Sequence, residues 1–241
     1  MNSGPLASDT AMILAAGLGK RMRPLTAAQP KPLVRVAGKS LIDHALDKLE
    51  SAGVAKAVVN VHYLADALEG HLKVRSRAPQ VQISDERERL LETGGGMVKA
   101  AALLPDPFFC LNSDNIWLDG PNDAFRELSR AWDPERMDAL LLLVPHPRAM
   151  NYRGEGDFHL DPEGRVTRRK RGYVAPFIYT GIQIVSHRLL RDAPEGPFST
   201  NLLWTRAIEE GRLYGISHMG LWFEVGDPAA IRPTEEWMIR A

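Results

Sequence analysis

Two glycines and a set of cations between residues 17 and 31 carry the first chemistry legible in this chain. In Met12 to Leu33, MILAAGLGKRMRPLTAAQPKPL, an apolar run through Ala15 and Ala16 passes into Gly17 and Gly19, and Lys20, Arg21, Arg23 and Lys31 follow. Glycine lets a backbone turn tightly and expose its N–H groups, and nearby cations neutralise negative charge, so the stretch suits a polyphosphate. Two familiar phosphate motifs do not fit. A P-loop needs glycine five residues before the Gly-Lys pair and Ser or Thr after it, where this chain has Leu14 and Arg21. A dinucleotide fingerprint needs a third glycine where Met22 stands, and a helix at once, which Pro24 opposes.

The elements around the loop alternate. Ser40 and Asp43 read as a capping pair for a helix with Leu41, Ile42, Ala45, Leu46 and Leu49 on its apolar face, ended by Gly53. Ala57 to Val61 reads as a strand, Leu64 to Leu72 as a weak helix and Val81 to Ser84 as a strand. The ETGGG of Glu92 to Gly96 reads as a second glycine loop opening a helix over Met97 to Leu104. Phe108 to Leu111 is an apolar strand ending in Asn112, Ser113 and Asp114, polar groups at the strand end where open α/β sheets bind ligands. A helix over Pro121 to Trp132 and a strand over Ala139 to Val144 follow.

From Pro145 the pattern predicts a hairpin insertion around Asp161 to Gly164, a long strand Phe177 to Val185, a helix Thr200 to Glu210, a strand Leu213 to Ser217 and a last helix from about Pro228 to Arg240. Strand and helix in alternation predict an α/β fold with a mixed, mostly parallel sheet flanked by helices.

At 241 residues, 44% hydrophobic and 25% charged, the chain suits one globular domain. Thirty basic residues balance thirty acidic ones, so overall charge points to neither a nucleic acid nor a membrane as partner. The lone Cys110 sits in an apolar run, consistent with a buried thiol and a reducing cytoplasm. No apolar run nears the ~18 residues of a membrane span. Residues 1–9 read as a flexible extension or a cloning remnant. Seven scattered histidines lack zinc-ligand spacing, and no Ser-His-Asp or Cys-His arrangement stands out.

The opening loop resembles the signature of the sugar-1-phosphate nucleotidyltransferases, Gly-x-Gly-x-Arg, Pro-x-Thr and Pro-Lys, matched by Gly17, Gly19, Arg21, Pro24, Thr26, Pro30 and Lys31. The likeness continues through VAGKSLIDHAL, LETGGG, LNSD, GDF and WFEVGDP. It is nearest to bacterial N-acetylmuramate 1-phosphate uridylyltransferases and mannose-1-phosphate guanylyltransferase-like proteins. The resemblance implies a Rossmann-like nucleotidyltransferase domain over residues 10–241, with 10–144 binding nucleotide and 145–241 binding sugar. Its substrates are a nucleoside triphosphate and a sugar 1-phosphate, UTP with N-acetylmuramate 1-phosphate first and a mannose- or heptose-1-phosphate guanylyltransferase second. A non-catalytic nucleotide-sugar sensor is the reading from another class.

The same resemblance implies Mg²⁺ and a set of site residues. Arg21 grips the triphosphate, with Ala16, Gly17, Gly19 and Lys20 beside it, and Lys31 approaches the α-phosphate. Asp114 binds magnesium with Asn112 as a polar neighbour. Thr93, Gly94 and Gly95 either approach the nucleobase or form a helix-opening turn. Asp157, Thr180 and Gly181 face the sugar, although Asp157 equally suits a hairpin cap. Arg169 and Lys170, within the cationic run Arg168 to Arg171, either hold the sugar phosphate or form a solvated edge. The second family carboxylate lies in Trp-x-Asp-Val-Gly-Thr-Pro, where this chain reads WFEVGDP, so the second metal carboxylate is Glu224 or Asp227.

Overall fold

The computed structural model describes residues 4–240. In chain order, β1 (Thr10–Leu14) enters the loop, the short pair β2 (Arg35–Val36) and β3 (Lys39–Ser40) precedes α1 (Leu41–Ala52), and β4 (Lys56–Val61), α2 (Ala65–Lys73), β5 (Gln80–Asp85) and α3 (Glu92–Ala100) follow. Next come β6 (Phe108–Asn112), β7 (Asn115–Leu118), α4 (Ala124–Ala131) and β8 (Ala139–Pro145). The remainder holds β9 (Ala149–Met150), β10 (Phe158–Leu160), β11 (Val166–Arg168), β12 (Phe177–Val185), α5 (His187–Leu190), α6 (Asn201–Glu209), β13 (Leu213–Ser217), β14 (Leu221–Glu224) and α7 (Ile231–Arg240).

The main sheet is mixed. Strands β6, β1, β4 and β5 lie side by side and parallel, joined by crossover helices. The long β12 then runs antiparallel to β6 on one edge and to β8 on the other, and β13 adds to β8 in parallel. Side chains alternate along each strand between two cores. Ala11 and Ile13 face one and Met12 the other, and β8 divides likewise, with Leu140 and Leu142 on one face and Leu141 and Leu143 on the opposite face. Covered on both faces, these strands need no polar alternation, which is why they read as continuous apolar runs.

The first helix forms as the sequence predicts. Ser40 Oγ accepts the Asp43 N–H at 3.2 Å, and Gly53 ends the helix at φ +93°. The expected boundaries shift in three places. Helix α3 starts at Glu92, so Gly94 to Gly96 are helical residues and not a loop before Met97. The hairpin β10–β11 is not set apart as an insertion, because Phe158 pairs with Phe177 and draws it into the main sheet. The last helix divides into a short turn over Pro228–Ala230 and α7.

Five short strands escaped the sequence, the pair β2 and β3 and three more. β7, β14 and β9 form a second sheet, β14 antiparallel to β7 and parallel to β9. Of the expected flexible extension, residues 1–3 lie outside the described residues. Leu6 and Ala7 pack against the core, and the Ala7 N–H donates to Ser129 Oγ at 3.0 Å, which ties this part to α4.

Candidate active site

The site begins where the sheet order reverses. Leu14 at the end of β1 pairs with Asn112 at the end of β6, and the Ser113 N–H donates to Leu14 O at 3.1 Å. The glycine loop and the Asn112–Asp114 turn therefore leave the sheet side by side, at the crevice where open α/β sheets take ligands. Gly19 adopts φ +58°, and a Cβ there would lie 3.0 Å from both Lys31 Cβ and Thr26 Cγ2. Thr26, buried, donates from Oγ1 to Gly19 O at 2.8 Å. Two motif residues thus fold the loop back onto Lys31. Met22, the residue that broke the dinucleotide pattern, is an anchor: it is fully buried with Val34, Ile116 and Phe223, pinning the loop to β7 and β14. Gly17 has open space around its Cα, so its missing side chain leaves room in the crevice.

Three cavities meet at Asp114. One of about 410 Å³ lies between the loop and residues 90–93, and its walls include Ala16, Lys31, Thr93 and Asn112. A second of about 430 Å³ follows the loop past Gly17, Lys20, Arg21 and Lys31. The third, about 220 Å³, is bordered by Arg21, Asp157, Gly181 and Glu224. Lys31 Nζ donates to Asp114 Oδ2 at 2.5 Å, joining the loop to the strand end. Arg21 Nη1 stands 3.8 Å from Glu224 Oε1, with its side chain 72% exposed.

Glu224 and Asp227 differ in what they do. In the second sheet Glu224 pairs with Asn115, the residue after Asp114, so both carboxylates border the third cavity. Asp227 instead accepts the Ala230 N–H at 3.2 Å and caps the turn that leads to α7.

The remaining expected residues divide. Thr93 borders the first cavity, and its Oγ1 accepts the Thr200 N–H at 2.9 Å. Gly94 and Gly95 do not line that cavity. Both N–H groups donate to Phe198 O, and an added Cβ would lie 2.3 Å from the Phe198 ring at Gly94 or 2.3 Å from Gly196 O at Gly95. They are glycines because the 196–198 segment crosses directly over α3.

Asp157 borders the third cavity and accepts the Tyr179 N–H at 2.9 Å, so it both faces the site and fixes β12. Gly181, at φ +82°, reaches the same cavity, whereas the Thr180 hydroxyl donates away from it to Leu142 O. Arg169 donates to Gly156 O and Tyr173 O and pairs with Glu155 at 2.7 Å, and Lys170 is exposed.

Several site residues were missed by sequence reasoning. Asn60 on β4, buried, accepts the Ala15 and Ala16 N–H groups on Oδ1 and donates to the buried Glu86 at 2.7 Å, while Glu86 Oε2 accepts the Leu91 N–H. This bridge fixes Asn60 in the wall of the first cavity, and its signal in the sequence was an Asn in an apolar strand. Asn115, also buried, borders the third cavity, and its Nδ2 has no partner among the described residues. Tyr152 lines that cavity as well, and burial, aided by Asp157 and Glu224, raises its phenol above its usual pKa, which keeps its proton in place.

The nucleotidyl transferase family model matches residues 10–168, from β1 through β11. This chain belongs to that family. The N-acetylmuramate alpha-1-phosphate uridylyltransferase of Caulobacter vibrioides is 48% identical to this chain, over 93% of it and 94% of that protein. The protein of the same name from Neisseria meningitidis serogroup B is 34% identical, over 93% and 96%. Among solved structures, HddC of Yersinia pseudotuberculosis complexed with GMP-PN superposes with a TM-score of 0.76 at 22% identity, covering 95% of this chain and 99% of that one. That likeness is one of fold. The expected nucleotidyltransferase identity and its mixed, helix-flanked sheet are both met.

Proposed function

We propose that the protein transfers the uridylyl group of UTP to N-acetylmuramate 1-phosphate, releasing pyrophosphate and the uridine diphosphate sugar. The observation that carries this reading is the meeting of three cavities at Asp114, with Lys31 and Arg21 on adjoining walls. The 48% identity to a uridylyltransferase over nearly both whole chains supports this choice of base and sugar.

In this arrangement the base and ribose occupy the first cavity, the triphosphate follows the loop, and the sugar phosphate enters the third cavity. A phosphate oxygen is already an anionic nucleophile, so in-line attack on the α-phosphorus needs positioning and charge compensation and no general base. Lys31, at the edge shared by the first two cavities, moves its ammonium from Asp114 to the α-phosphate. Arg21, beside the loop, neutralises the departing pyrophosphate, and each such charge-assisted hydrogen bond contributes roughly 1.5–3 kcal/mol.

Asp114 and Glu224 border one cavity with oxygen donors only, and no group of three or more His, Cys, Asp or Glu among the described residues is arranged around a metal. Two carboxylates completed by phosphate oxygens suit Mg²⁺. When bound, Mg²⁺ compensates charge on the reacting phosphates. Glu224 therefore keeps the second carboxylate despite its extra methylene, which favours an enzyme over a sensor. A cytoplasmic setting, where UTP is made, accords with this reading, and no helix among the described residues is long and apolar enough to cross a membrane.

The test is pyrophosphate release with Mg²⁺ from each of UTP, GTP, CTP and dTTP against a panel of sugar 1-phosphates. UTP with N-acetylmuramate 1-phosphate gives the highest kcat/KM. A preference for GTP with a mannose or heptose phosphate would move the reading to the guanylyltransferases, and nucleotide binding without release from any pair would move it to a sensor.

A further inference from the structure

A fourth cavity, about 340 Å³, opens from the third across a wall shared by Asp157 and Tyr179. Phe158, Tyr179 and Trp204 border it beside Asp157, Arg169 and Asn201, with Tyr179 and Trp204 in edge contact at 4.8 Å between ring centroids. Arg168 lines it too, with its guanidinium stacked on Phe158 at 5.5 Å from the ring centroid.

The bonding of Arg168 sets it apart from its neighbours. Arg165 pairs with Asp161 and Arg169 with Glu155, but among the described residues Arg168 pairs with no carboxylate. Its hydrogen bonds go to neutral acceptors: Nη1 to Asn201 Oδ1 at 3.0 Å, and Nη2 to Asn201 O at 3.0 Å and Thr205 Oγ1 at 3.5 Å. A guanidinium has five N–H donors. The Nε–H and one Nη1–H are therefore left over, held in one orientation by the fork on Asn201. Burial lowers the Arg168 pKa from its usual value, and Asp157 is the one charge that opposes this. A partly desolvated, oriented cation without a counter-ion favours an incoming anion, and with the end-on fork taken by Asn201 a carboxylate oxygen accepts one of the remaining N–H groups.

The geometry points to Arg168 as the residue that recognises a carboxylate carried on the sugar, on the side of the ring away from the 1-phosphate. This deepens the uridylyltransferase reading and rests on it for the sugar's placement. N-acetylmuramate differs from N-acetylglucosamine by a lactyl ether that ends in a carboxylate, so the fourth cavity would take the lactyl group. Asp157, on the shared wall, then faces sugar hydroxyls and repels an anion that lies on the wrong side of it. The two cationic positions expected to meet the sugar phosphate, Arg169 and Lys170, do not have this character, since one is engaged by Glu155 and backbone carbonyls and the other is exposed.

The experiment compares N-acetylmuramate 1-phosphate with N-acetylglucosamine 1-phosphate. The wild type, Arg168→Met, which keeps an apolar stem on Phe158, and Arg168→Lys are each assayed for kcat/KM with UTP and for calorimetric binding of each sugar phosphate without UTP. Arg168→Met lowers the acidic-to-neutral ratio at least about tenfold in both readouts, and Arg168→Lys restores part of it, as expected for loss of one charge-assisted pair. An unchanged ratio, or an equal loss for both sugars, overturns the proposal and leaves Arg168 with the structural role of holding α6. If the wild type transfers uridylyl to neither sugar, the proposed function fails, and the binding ratio alone decides Arg168.

Discussion

Glu224 stands directly opposite Asn115 in the β14–β7 ladder, and Asn115 is the residue that follows Asp114. A backbone pairing in the second sheet thus brings together two carboxylates 110 positions apart in the chain. Asp227 is occupied as a helix-turn cap. Glu224→Gln, which keeps the shape and removes the charge, is expected to lower pyrophosphate release on the order of 100-fold or more, as loss of a preorganised charge at a reacting centre does. Asp227→Asn retains capping ability and leaves release near wild type. Steady-state assays across a Mg²⁺ titration check both, and a greater loss in Asp227→Asn would reverse the assignment.

Gly181 is where β12 meets the site. It adopts φ +82°, and a Cβ there would lie 2.1 Å from Asn115 Nδ2 and 2.7 Å from Asn112 Nδ2. Gly181→Ala therefore strains the backbone and displaces both amides. The left-handed conformation alone costs about 1–2 kcal/mol, and each kcal/mol lowers Tm by roughly 2–4 °C in a domain of this size. We expect a lower Tm together with a raised KM for the sugar phosphate. A variant with wild-type KM would show that the two asparagines do not contact the sugar.

One buried and one half-buried histidine give the stability an acid limb. His218 is buried with Nε2 at 3.1 Å from Leu118 O, and desolvation lowers its pKa. His44, held by Val36 O at 2.9 Å, is lowered for the same reason. As pH falls below the unfolded value of about 6.5, the unfolded chain binds protons that the folded chain refuses. Stability from these groups is present above that pH and is lost below it. Chemical denaturation between pH 8 and 5 should show a declining midpoint below about pH 6.5, with a shallower decline in His44→Gln. An identical slope in that variant would remove His44 from the explanation.

How much of this was legible beforehand follows from which interactions are local. The cap at Ser40, the stop at Gly53 and the long strand Phe177–Val185 depend on neighbouring residues, and they formed where the sequence puts them. Continuous apolar runs marked the strands covered on both faces. The second sheet was not legible, because β7, β9 and β14 are only four, two and four residues long and are held by pairing between distant segments. For the same reason the sequence alone could not show that Glu224 lies opposite Asn115 while Asp227 caps the following turn.

The glycines of ETGGG show the opposite failure. Their composition suggested an open loop, but α3 needs Gly94 and Gly95 small for a segment a hundred residues later, at Phe198 and Gly196, and Gly96 small for Glu86 and Asn60. Asn60 and Glu86 were passed over because a buried polar bridge leaves no periodic trace. Within the opening loop, by contrast, the motif's spacing reflects contacts made inside the loop itself, from Gly19 to Thr26 and Lys31.

The convergence of the three cavities on Asp114 is tested most directly by one comparison, pyrophosphate release from UTP, N-acetylmuramate 1-phosphate and Mg²⁺ by the wild type and by Asp114→Ala. Asp114 as the shared metal-holding carboxylate predicts that release falls on the order of 1,000-fold in the variant, while the protein stays folded and still binds UTP. Release at a near wild-type rate by folded Asp114→Ala would contradict it.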